Sequence, residues 1–146
     1  MMDETRRQVG LRAYASQFQL PPETVADHLS AMLGPNMAED CLQATGAAWS
    51  PGSLAWRERS LVVITCLATL GGAEDRLASH LRWGLRNGLT VTEIDEALRV
   101  LAAYAGYPRA TVAREVFERV RAAAADPANS ESALGKGGGD DTTADR

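Results

Sequence analysis

The chain has 146 residues, 45% of them hydrophobic and 23% charged, with a formal net charge of −4. That length gives one domain with room for a real core, and chains of this size often add an oligomer interface. The acidic balance excludes a generic nucleic-acid binder, which needs a concentrated basic face, and the longest apolar run, the ten residues "LVVITCLATL", is too short to span a bilayer.

The start, "MMDETRRQ", is charged and has no apolar stretch of the signal-peptide kind, so a cytoplasmic protein is expected. Alanine, leucine and arginine are plentiful and aromatics make up 5%, which favours helices. Residues 3–18 read as an amphipathic helix, interrupted by "LPP" at 20–22. Pro22 suits the first turn of a second helix, "PETVADHLSAML", and "GP" at 34–35 separates it from a third, over 36–47. "WSPGSL" is a loop. The segment 55–70 is apolar nearly all round in its second half, the mark of a central buried helix. Its "LVVIT" also fits a buried strand, but helical neighbours and the lack of a partner strand favour helix.

"GG" at 71–72 closes that segment, and a helix follows over 73–87 with Leu77, Leu81 and Leu85 four apart. Gly88 is placed as the left-handed residue that ends it. Thr90 to Glu93 is a capping box, followed by a stripe of Ile94, Ala97, Leu98, Leu101 and Ala105. "AGYP" breaks this helix and Pro108 begins the last, to about 124. The expected organisation is a single all-α domain over 1–125, a compact bundle of six to seven helices, with a polar, Gly-rich tail over 126–146 expected to be disordered. "GKGGGD" in that tail lacks the spacing of a phosphate-binding loop.

Cys41 and Cys66 form no C-x-x-C, and Cys66 inside "VITCLAT" reads as a small buried hydrophobe. His28 and His80 are the only histidines and have no clustered ligands, so no metal is expected. His28 reads as a surface residue. His80 stands on the border of the apolar stripe, with Trp83 and Gly84 on its face. Gly84 inside a helix costs about 1 kcal/mol against alanine, so another helix or a ligand packs close there. Arg76, Arg82 and Arg86 share the helix, and Arg57 and Arg59 open the preceding one. An imidazole among guanidiniums suits loss of CO₂ from a carboxylate conjugated to a carbonyl. Arginines hold carboxylates and stabilise the dienolate, histidine delivers the proton, and no cofactor is needed. The same residues have plainer readings: a satisfied border histidine, solvated arginines, Glu58 pairing with a neighbour, and Trp56 and Trp83 as core or interface.

"RSLVVITCLATLGG", "LASHLRWGLRNGLTVTEIDEAL" and "AAYAGYP" together resemble the carboxymuconolactone decarboxylase family. The carrying residues are Arg59, Ser60, His80, Asn87, Gly88, Thr90, Glu93, Ile94, Tyr104, Gly106 and Pro108, within about residues 44–120. The resemblance implies a small all-α fold of the alkylhydroperoxidase-like type, assembled as a trimer or hexamer. One branch of that superfamily is a thiol peroxidase. Its two cysteines fall here on Ala73 and Arg76 and its glutamate on Ser60, so peroxidase activity is not expected. The other branch decarboxylates 4-carboxymuconolactone without a cofactor. It implies His80 as proton donor and Arg59 as the carboxylate ligand, with Trp49, Ser60, Trp83, Arg57, Tyr104 and Glu115 around the substrate. The chain departs from that branch in three places, one of them "LRNG" at 85–88, where the branch has A-N-N-G or similar. "WSPGSL" keeps Trp49 but lacks an arginine, and Glu115 falls near the position of a second histidine. Two alternatives follow: a cofactor-free cyclase, isomerase or lyase of the same fold acting on an aromatic or polyketide-like intermediate, and a non-catalytic oligomeric binding protein. No nucleic-acid or membrane partner is expected.

Overall fold

The computed structural model describes residues 4–126, and every element in that range is helical. The elements are α1 (Arg6–Phe18), α2 (Pro22–Leu33), α3 (Pro35–Trp49), α4 (Trp56–Leu70), α5 (Glu74–Arg86), α6 (Val91–Ala105) and α7 (Tyr107–Ala125). The expected bundle is present, and "LVVIT" is helix. Of the expected tail only Asp126, the C-cap of α7, lies within the described residues.

Local chemistry sets the helix ends. Thr5 and Gln8 form a reciprocal capping box, so α1 begins at Arg6 rather than at residue 3. Prolines open α2 and α3 where a missing N–H costs nothing. The capping box expected at the start of α6 is present, with Glu93 accepting from the Thr90 backbone N–H at 2.9 Å. At the end of α5 the Leu89 N–H reaches the Gly84 carbonyl at 3.0 Å and the Gly88 N–H reaches that of Leu85 at 3.1 Å. This is a Schellman closure, and it needs the φ of +101° that Gly88 adopts.

Two helical groups make the core. Helices α1–α3 pack around Val25, Leu29, Ala38 and Leu42. Helices α4–α7 enclose Ile64, Leu81, Ile94, Leu98, Val116 and Phe117. Within the first group α1 and α3 cross with almost no side chain between them. A Cβ on Gly10 would run into the Leu42 backbone carbonyl, and one on Gly46 into that of Arg6. A third cluster joins the groups: Val9 and Ala13 of α1, Trp49 of α3 and Trp83 of α5 are buried together, with Trp56 and Val63 against them.

Neither α4 as a whole nor its Cys66 is buried as expected. Helix α4 packs on α5, α6 and α7, but its apolar circumference is not all covered. Val62 is 53% exposed and Leu70 72%, and on the neighbouring α6 Val100 is 60% exposed and Tyr104 91%. Cys66, expected to be buried, lies on this exposed side of α4. The neighbouring helices of a single chain cover only one side of α4, and its sequence is apolar beyond what they reach.

Candidate active site

Helix α5 carries the border histidine. Leu77, Leu81, Trp83 and Gly84 face inward. Glu74 and Asp75 stand in its first turn and Arg86 in its last, each sign matched to the helix dipole. Gly84 is explained by α4: a Cβ there would lie 2.9 Å from Ile64 Cδ1 and 3.0 Å from Leu89 Cδ1. The close neighbours are therefore side chains of the core rather than open space for a ligand.

His80 faces the last turn of α1. Its Nε2 lies 3.2 Å from Gln17 Nε2, which also donates to Ser79 Oγ at 3.3 Å. The buried Nδ1 has no hydrogen-bond partner among the described residues. Burial, and secondarily the Arg76 guanidinium one turn away, push the imidazole pKa down to about 4, so the ring is neutral at pH 7. The Trp83 ring lies 5.9 Å from that of His80.

Three further contacts clamp α1 to α5. Trp83 Nε1 donates to Ser16 Oγ at 2.9 Å. Arg86 Nη2 donates to the carbonyls of Ser16 at 3.3 Å and Gln17 at 2.8 Å. The guanidinium thus satisfies carbonyls that the end of a helix leaves open. One turn earlier on α1, the Tyr14 hydroxyl sits 2.7 Å from Cys41 Sγ and accepts from Thr45 Oγ1 at 3.1 Å. Burial, reinforced by the Cys41 contact, pushes this phenol up to about 12, while the Arg76 charge pulls weakly the other way. Arg76 therefore acts on both the His80 imidazole and the Tyr14 phenol.

The other residues singled out from the sequence fall into distinct places. Arg59 holds the loop before α4, donating from Nε to the Leu54 carbonyl at 2.9 Å and from Nη1 to the carbonyl of Ala48. Arg57 pairs with Glu93, tying the start of α4 to the capping box of α6, and also with Glu58 at 3.3 Å. Ser60 is fully buried and accepts from Asn87 Nδ2 at 2.9 Å, which fixes the end of α5 to α4. Trp49 and Trp83 lie 4.2 Å apart between centroids, and Trp56 meets both edge-on. Tyr104 and Glu115 line a groove of about 770 Å³ between α6 and α7, together with Arg99, Tyr107 and Arg114 and no residue of α5. The fold therefore brings Trp83 to His80 and places Tyr104 and Glu115 on a separate face.

No motif in the sequence points to Gln17, Ser16 or Tyr14, and Cys41 stands out there only as a cysteine outside any C-x-x-C. All belong to α1 or α3, and no spacing pattern links Gln17 to a histidine 63 positions later. Among the described residues no group of three or more histidine, cysteine or acidic side chains could hold a metal ion. No helix there is long and apolar enough to cross a membrane.

The Carboxymuconolactone decarboxylase family model matches residues 35–119, from the start of α3 into α7. That is more than half of the chain, and the chain belongs to this family. It is also similar to a protein of Acinetobacter baylyi named 4-carboxymuconolactone decarboxylase, 40% identical over 77 residues. That match takes in 53% of this chain and 57% of the relative, so the chain spans little more than half of the relative's length.

Proposed function

We propose that the protein is a cofactor-independent carbon–carbon lyase that removes CO₂ from 4-carboxymuconolactone or a related carboxylated lactone, with His80 as the proton-transfer group. The observation that carries this reading is His80 itself: a half-buried, neutral imidazole on the helix of the family motif, with one ring nitrogen lacking a protein partner. In such a reaction the bond from ring carbon to carboxylate breaks. Its electron pair passes through the conjugated double bond onto the lactone carbonyl oxygen. The resulting dienolate takes a proton on carbon from His80, and solvent restores that proton.

A neutral resting imidazole fits this sequence of events. A substrate with two carboxylates brings negative charge against His80 and counters the Arg76 charge, so binding itself raises the imidazole pKa. The carboxylates need a cation. Arg76 already acts electrostatically on His80 and is the nearer candidate. Arg59 serves in that role only by exchanging the carbonyls of Leu54 and Ala48 for substrate. The tryptophans pack on one another, which weakens the case for an aromatic ligand resting on them.

We also propose that the chain works as a homo-oligomer, trimeric or hexameric. The support is the exposed apolar surface of α4 and α6, where Leu61, Val62, Val100 and Tyr104 border a second groove of about 500 Å³. Tyr104 and Glu115 take part in the reaction only across such a subunit contact.

The test is to incubate the protein with 4-carboxymuconolactone and follow CO₂ release by mass spectrometry, with His80→Ala alongside. Turnover that falls at least about 100-fold in the variant supports both class and role. A folded protein that releases no CO₂ overturns the substrate assignment.

A further inference from the structure

We infer that Gln17 is a positioning residue for His80: it holds the imidazole with its proton on Nδ1, the ring nitrogen that has no protein partner. The inference rests on the proposed role of His80 in proton transfer.

The argument starts from donor and acceptor counts. Gln17 presents its amide nitrogen, not its oxygen, to two groups at once: Ser79 Oγ at 3.3 Å and His80 Nε2 at 3.2 Å. An amide NH₂ has two hydrogens and no acceptor capacity, so it satisfies both contacts only by donating. A ring nitrogen that accepts is unprotonated, and a neutral imidazole then carries its hydrogen on the other nitrogen. That other nitrogen is Nδ1, buried and without a protein partner. A buried N–H without a partner is costly, and the group that would relieve this cost is an acceptor brought by the ligand, such as a carboxylate or the developing dienolate oxygen.

Gln17 can impose this choice because its own position is fixed independently of its side chain. Trp83 grips Ser16 through the hydroxyl, and Arg86 grips the backbone carbonyls of residues 16 and 17. None of these contacts uses the Gln17 amide. A change confined to that amide therefore leaves the α1–α5 clamp in place. The groups facing His80 are Gln17 from α1 and Ser79, Arg76 and Trp83 from its own helix.

The test is nitrogen NMR of the ligand-free protein at pH 7, read on the ring nitrogens of His80. His28 is the only other histidine, and His28→Gln assigns the signals. The expected result is a protonated, pyrrole-like Nδ1 and an unprotonated, pyridine-like Nε2. In Gln17→Glu the facing group only accepts, so the proton moves to Nε2 and the titration midpoint of His80 rises. In Gln17→Leu both tautomers are populated, and kcat falls by about tenfold or more with KM less affected. A wild-type protein with the proton on Nε2, or a pattern unchanged in Gln17→Glu, overturns the inference. Because the spectrum is read without ligand, a failed decarboxylation assay would leave the tautomer result standing, and the two readings fail separately.

Discussion

A histidine kept neutral by burial makes a fold sensitive to acid in a definite window. In the unfolded chain His80 titrates near its ordinary 6.5, while in the folded protein it titrates at about 4. Above pH 6.5 both states are neutral at this site and its stability contribution is complete. Between 6.5 and 4 the unfolded chain binds a proton that the folded one refuses, so stability falls as pH falls and levels off below 4. The full shift corresponds to at most about 3 kcal/mol. His80→Gln should remove this slope, and urea midpoints for both proteins at pH 7, 5 and 4 would show it as a difference confined to the acid side. Asn87 offers a simpler test. Replacing it with alanine strands the buried Ser60 hydroxyl and should cost about 1–2 kcal/mol in urea unfolding. Both residues were legible as parts of a motif, but their partners were not. Asn87 reads as an ordinary helix end, and only folding shows that its amide bonds to Ser60.

At the scale of elements, the α1–α3 crossing is the tightest contact. Gly10 and Gly46 each face a backbone carbonyl of the opposite helix, and a backbone cannot swing aside as a side-chain tip can. Alanine is the better helix former by about 1 kcal/mol, yet Gly46→Ala should destabilise by about 3 kcal/mol because the two helices must separate. Thermal melting should show a fall of about 10 °C. An unchanged or raised melting temperature would mean that the crossing has room for a Cβ at residue 46. The helix boundaries themselves followed from local signals. Pro22, Gly71, Gly88, the Thr90–Glu93 box and Pro108 all act within a turn of where they stand. The start of α1 is set by Thr5 and Gln8, a capping box of the glutamine kind that stands out poorly in a charged run.

At the scale of the whole molecule, the exposed face of α4 and α6 is where the single chain looks unfinished. A soluble monomer rarely leaves Val62, Leu70, Val100 and Tyr104 together at its surface. Sedimentation should give a mass that is a multiple of the 15.6 kDa chain. The double substitution Val62→Glu and Val100→Glu should shift it to the monomer while the helical circular dichroism is kept. A wild-type protein that sediments as a monomer would refute the assembly and leave Tyr104 and Glu115 with no route to His80.

The sequence by itself determined the helical class, the order and ends of most helices, and the family, because capping, turn chemistry and apolar period act over a few residues. It also marked His80 as the residue to watch. What surrounds His80 was decided only by tertiary structure. Gln17 reaches it from 63 positions away, Arg59 turns back to its own loop, and the tryptophans close on one another at the joint between two helical groups. Those outcomes depend on which helix faces cross and how closely, and glycine-mediated contact between α1 and α3 leaves no periodic trace in the chain.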